Sequence, residues 1–220
     1  MFVELIESLR CPRHLEGATD SPHLVASATR SAARHIVDGV LGCPVCGAEF
    51  PIVNGVAHFD RPARPTPEQQ PGEEEAMRLA AFLELTDARW YALLHGRWGA
   101  HADLIHRLAE TRLVLVNPPP NVPGDVAAAI VETRDVLPFA PLSARGAALD
   151  EGASPELVRS AVRAVRSRGR VVGPASLPIP DGVTVVARDD HLWVGEKIAV
   201  NTPPRLVEIA SGRKRSLPED

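Results

Sequence analysis

All the cysteines of the chain fall in one stretch, in short ligand pairs. The first pair is Cys11-Pro12-Arg13-His14, and the second is Cys43-Pro44-Val45-Cys46, followed at once by Gly47. Each sets two ligands three positions apart on a tight turn. Both side chains can then reach one metal ion while backbone N–H groups point at the thiolates. Two such turns supply the four ligands of a closed tetrahedral Zn²⁺ site. Cys11, His14, Cys43 and Cys46 are therefore expected to bind structural zinc. A redox pair would instead open a helix after a strand, whereas Cys46-Gly47 leads into a strand-like run. His23, His35 and His58 read as surface or strand positions.

The rest of the chain must fold around that site or beside it. With 220 residues, 45% of them hydrophobic, it can bury one domain core and a small module besides. A net charge of −4 and an aromatic content of 4% argue against a dedicated nucleic-acid surface. The segment Met1–Leu9 carries two acids, Glu4 and Glu7, and no basic start, so it does not read as a signal peptide. No window approaches the roughly 18 apolar residues of a membrane span. The expected location is the cytoplasm.

Around the ligand turns the pattern is that of a compact α+β module, residues 1–60. Phe2, Leu5, Ile6 and Leu9 recur at helical spacing. His23–Ser27 and Arg34–Val37 read as strands, and Asn54-Gly55 between two apolar runs predicts a hairpin. This arrangement resembles the small zinc-binding activator subunits of tRNA, ribosomal RNA and release-factor methyltransferases. The matching residues are Ile6, Leu9, Cys11, Pro12, Leu41, Cys43, Cys46, Phe50, Pro51, Ile52 and Gly55. His14 stands where that family has a second cysteine, and Ala57 replaces its proline after the hairpin. The resemblance implies a structural metal and a protein partner, either a methyltransferase or a second copy of the chain, met through an exposed strand edge.

Residues 61–72, with prolines at 62, 65, 67 and 71, read as an extended linker. Glu73-Glu74-Glu75 then open a helix with acids at its positive end. A second helix is expected from Thr86 or Asp87 through Trp90, Leu93 and Leu94 to His95-Gly96, and a third over His101–Leu108. Trp90 and Trp98 read as core anchors. The glycines flanking Arg97-Trp98 leave room for a ligand against the backbone. From Thr111 the pattern changes to α/β. Strands are expected at Thr111–Val116 and Arg145–Asp150, with a helix from Ser154 capped by Ser-Pro-Glu. A strand beginning at Val171 and a hairpin over residues 183–195 follow, giving an open sheet with an antiparallel edge.

Asp135-Val136-Leu137-Pro138-Phe139, the strand at Gly146–Leu149 and Ala164–Val172 resemble the second half of a class I S-adenosylmethionine methyltransferase. Such a domain needs a glycine-rich turn after its first strand, so that backbone can lie against the methionine part of the cofactor. With Thr111–Val116 as that strand, Asn117, Pro118 and Pro119 fall where glycines belong. Glu132 is the acid left for the ribose hydroxyls, and Asp135 matches the acid beside the adenine. Asn117, Glu132 and Asp135 are thus the candidate cofactor contacts. Asn117-Pro118-Pro119 also resembles the Asn-Pro-Pro of amino-methyltransferases, with Pro120 replacing the aromatic that stacks on the target base.

The expectation is a small zinc-binding α+β module (1–60), a linker (61–72), a helical shoulder with a reduced Rossmann-like methyltransferase-type sheet (73–200), and a tail (201–220). The tail carries a basic cluster, Gly212-Arg213-Lys214-Arg215. The expected role is a non-catalytic binding or scaffolding subunit. The alternatives are a divergent methyltransferase that uses S-adenosylmethionine, and a nucleic-acid-binding zinc ribbon whose affinity would fall steeply with salt.

Overall fold

The computed structural model describes residues 1–14, 21–62, 64–86, 89–122 and 128–199. The tail with its basic cluster lies outside the described residues. A 3-10 turn, Val3–Ser8, stands where helical spacing was read. The hairpin strands β1 (Val25–Ala32) and β2 (His35–Gly42) follow, then β3 (Glu49–Val53) and β4 (Val56–His58). Asn54 and Gly55 join β3 to β4 with φ of 49° and 82°, the left-handed pair that a tight hairpin turn requires. Helix α1 (Glu73–Phe82) precedes β5 (Tyr91–His95), a 3-10 turn over Gly96–His101, and α2 (Ala102–Ala109). Then come β6 (Arg112–Val116), β7 (Ala128–Glu132), β8 (Ala144–Ala148), α3 (Pro155–Ala164), β9 (Val165–Pro174), β10 (Val183–Arg188) and β11 (Leu192–Lys197).

Among the described residues the strands form one sheet, in the order β1-β2-β3-β4-β7-β6-β5-β8-β9-β11-β10. The run β7-β6-β5-β8-β9 is parallel. Antiparallel strands flank it on both sides, β1 to β4 at one edge and β11-β10 at the other. In chain order the parallel strands lie 3-2-1-4-5, the doubly wound Rossmann-like order. The α/β sheet with an antiparallel edge hairpin read from the sequence is present. The N-terminal module adds to it directly, because β4 pairs in parallel with β7.

Residues 91–95 do not continue a helix. Tyr91–His95 is the central strand, buried along its whole length. Leu93 joins a core cluster with Phe2, Leu9, Phe139 and the inner face of α3. Leu94 joins the opposite cluster with Leu79 of α1, Ile105 of α2 and Trp98 of the 3-10 turn between β5 and α2. A strand covered on both faces shows no alternation, so its apolar run reads equally as buried helix. The consequence is large. The first parallel strand is β5, so β6 is the second, and the turn that follows the first strand is Gly96-Arg97-Trp98-Gly99 rather than Asn117–Pro119. Ala128–Glu132 supplies the third parallel strand.

The N-terminal segment docks on the Leu137-Pro138-Phe139 run. Arg10 N–H donates to the Pro138 carbonyl at 2.8 Å and Ala140 N–H to that of Ser8 at 2.7 Å. Leu9 and Phe139, both fully buried, meet in an antiparallel bridge. The turns carrying Cys11 and Cys43 and the α/β body thus share a core.

Candidate metal centre and candidate ligand crevice

The ligand atoms of Cys11, His14, Cys43 and Cys46 lie within 4.8 Å of one another. Cys11 Sγ and Cys46 Sγ are 3.8 Å apart. Two sulfurs of a tetrahedral zinc, each about 2.3 Å from the ion, stand about 3.8 Å apart. His14 Nε2 is buried with no hydrogen-bond partner, which is costly unless something takes its lone pair. Burial pushes the Cys11 thiol up to about 12, with the neighbouring thiols adding to the effect. For Cys43 burial acts the same way, but backbone N–H groups of Cys46 and Val45 outweigh it and hold the thiol below its ordinary value. Those are the N–H groups that the tight turn was expected to aim at sulfur. The four residues fit zinc, with every coordination position filled by protein.

The second site lies where the parallel strands end. From β5 the chain builds β6 and β7 on one side, then returns to build β8 and β9 on the other. The order reverses between β5 and β8, which is where doubly wound sheets leave a crevice at the carboxyl ends of their strands. A cavity of about 500 Å³ opens there, lined by His95, Asn117 and Asp150 from the ends of β5, β6 and β8. Residues 62 and 64–67 of the linker form its outer wall, tied down by the Thr66 hydroxyl, which donates to the Asn117 carbonyl at 2.6 Å.

Asp150 organises this crevice. Its carboxylate accepts the Arg97 N–H at 2.9 Å and the Gly152 N–H at 2.8 Å. Its Oδ1 lies 2.9 Å from His95 Nδ1, off the best hydrogen-bond line. Burial alone would raise the Asp150 pKa. The His95 imidazole and the two N–H groups outweigh it and hold the carboxyl below its ordinary value of 3.8. Gly96 has φ of +61°, and a Cβ there would fall inside the Asp150 carboxylate. A Cβ on Gly99 would come to 2.7 Å from the Pro118 Cβ. The two glycines therefore let the turn close on protein: Asp150 at one and Pro118 at the other.

Asn117 lines the cavity, but both ends of its side-chain amide are engaged. Nδ2 donates to the Thr133 carbonyl at 2.8 Å, and Oδ1 accepts the Thr133 N–H at 3.0 Å. Glu132 faces the added strands, 2.8 Å from His58 Nδ1, and neither it nor Asp135 lines the cavity. Trp98 is core, its indole N–H donating to the Leu149 carbonyl at 2.9 Å. Arg97 stacks on that ring with its guanidinium 4.1 Å from the centroid, and bonds Glu75 at 2.9 Å. Sequence reasoning did not find His95. The available signal was a polar residue at the end of an apolar run, followed by Gly-x-x-Gly.

No protein-family model matches the chain, and no curated protein matches it. Solved structures match in part. The MycE methyltransferase of the mycinamycin biosynthetic pathway, solved with magnesium and S-adenosylhomocysteine, aligns over 64% of this chain and 54% of its own at 10% identity and a TM-score of 0.45. An RNA methyltransferase from Salinibacter ruber, solved with S-adenosylhomocysteine, aligns over 64% of this chain and all of its own at 14% identity and a TM-score of 0.40. A geranyl diphosphate methyltransferase aligns over 46% of this chain at 14% identity and a TM-score of 0.37, and the match spans only 44% of that enzyme. The likeness is one of fold alone. Among the described residues no helix is long and apolar enough to cross a membrane.

Proposed function

We propose that the chain is a zinc-stabilised binding or scaffolding protein on a Rossmann-like, methyltransferase-type sheet, and that it does not use S-adenosylmethionine as a methyl donor. The observation that carries this reading is the Asp150 carboxylate seated on the turn after β5. That turn is where the backbone of a methyltransferase would lie against the methionine part of its cofactor. Here the Arg97 N–H already has an acceptor, and Asp150 occupies the space beside Gly96. The end of β6, where a ribose-binding side chain is needed, carries Asn117 with its amide already engaged by Thr133.

In this reading the metal has no chemical role. With four protein ligands it keeps no open position for water or substrate. It would fix the two ligand turns against Leu9 and Leu41 and hold the β1–β4 edge in shape for a protein partner. The divergent-methyltransferase alternative requires Asp150 to move aside.

Calorimetric titration of the zinc-loaded protein with S-adenosylmethionine and S-adenosylhomocysteine separates the two. The expected result is no saturable heat with either compound. Micromolar binding of either one overturns the reading. Metal analysis checks the other half, with about one zinc per chain expected, lost on replacing Cys43.

A further inference from the structure

The crevice has a charge balance of its own. Its lining includes three arginines, Arg64, Arg97 and Arg134, and two acids, Asp150 and Glu151. Arg97 is neutralised by Glu75 at 2.9 Å, with Glu151 at 3.8 Å. Arg64 has no ion-pair partner among the described residues. Among the described residues Arg134 is paired with Asp60 alone, at 3.6 Å, with side chains 52% and 58% exposed. The Asp150 charge is compensated in place by the Arg97 and Gly152 N–H groups and by His95. Set against the Asp150 and Glu151 carboxylates, the three lining arginines leave an excess of one positive charge, and Arg64 and the loosely paired Arg134 carry it. Such a field repels a sulfonium and attracts an anion, and the planar arginine fork matches phosphate and carboxylate oxygens two at a time.

A second observation points to a ligand. The His95 side chain is 7% exposed, and its Nδ1, turned to Asp150, makes no well-aligned hydrogen bond. The residue is part of the cavity lining. A buried imidazole without a well-aligned partner has hydrogen-bonding capacity left over beside that space. Pro62, Pro65 and Pro67 add apolar surface to the lining. The volume, about 500 Å³, is that of a small-metabolite site.

We propose that this crevice binds a small organic anion, a phosphate ester or a carboxylate, gripped by Arg64 and Arg134 with its body between His95 and the proline wall. The inference deepens the binding-protein reading of the same crevice, and the two fail separately. Micromolar S-adenosylmethionine binding would sink that reading, and absence of anion binding would sink this one.

The test uses the full-length, zinc-loaded protein at constant ionic strength. Calorimetry is run with inorganic phosphate, ribose 5-phosphate and citrate, with sodium chloride as the control. The proposal expects saturable binding of at least one of the three below about 10 mM. It expects the Arg64→Gln, Arg134→Gln double variant, altered only at solvent-reaching cations, to bind that probe about tenfold or more weakly. Preference for ribose 5-phosphate or for citrate identifies the head group. No saturable binding of any probe, or equal binding by the double variant, overturns the proposal.

Discussion

The metal-ligand turns and the crevice differ in how far apart their parts lie along the chain. Each turn sets its two ligands three positions apart, and one long-range step brings the turns together. The crevice joins His95, Asn117 and Asp150 with linker residues; Arg97 and Asp150 alone are separated by 53 positions. The first site is a property of short motifs and the second a property of sheet order. Changes at the first are therefore expected to act on stability through lost metal. Changes at the second should act through the fit of a turn against a strand end.

The largest effect is expected at the metal. Cys43→Ala should abolish stoichiometric zinc and lower the melting temperature by about 10 °C or more, since the free energy of binding structural zinc is folding free energy. Unchanged melting with full zinc content would break the contrast. Leu93→Ala, in the middle of the central strand, should cost about 2–5 kcal/mol in denaturant unfolding. A surface-helix residue would not cost that much, so the value tests the strand assignment. Gly96→Ala should cost about 2–4 kcal/mol, because it combines a left-handed backbone with a collision at Asp150. In an Asp150→Ala background the collision is gone and the penalty should shrink to the backbone part alone. An unchanged penalty would show that the carboxylate does not sit on the turn.

A smaller effect should appear in acid. The folded Asp150 carboxyl titrates below its ordinary 3.8. It therefore stabilises the fold above that pH, and the contribution fades as pH falls through the folded value. Asp150→Asn should be less stable than the native protein at neutral pH, and the gap should narrow below about pH 4. The smallest effect is expected at Arg159, whose exposed pair with Glu156 on α3 is 2.8 Å long. Arg159→Ala should melt indistinguishably from the native protein.

The sequence announced what short-range chemistry controls. The ligand set, the Asn54-Gly55 hairpin, the Ser154 cap on α3 and the terminal β10-β11 pair all rest on neighbours a few positions apart. What it concealed was β5. Trp90-Tyr91-Ala92-Leu93-Leu94 has no alternation because Leu93 and Leu94 are buried on opposite faces. Once that strand is taken for helix, β6 becomes the first strand, and the search for a cofactor turn moves to Asn117–Pro119. The N-terminal module reads as a separate unit for a related reason. Val56-Ala57-His58 is too short to show that it pairs with β7. Thr66 and its neighbours read as linker, although they wall the crevice, because an extended proline run looks the same packed or free.

The central claim is that Asp150, and not a cofactor, occupies the turn after β5. Equilibrium dialysis of S-adenosylmethionine against the zinc-loaded native protein tests it most directly. The account predicts equal ligand concentration on both sides of the membrane up to about 100 µM, with a folded, zinc-replete protein throughout. Retention of about one equivalent per chain at that concentration would contradict it.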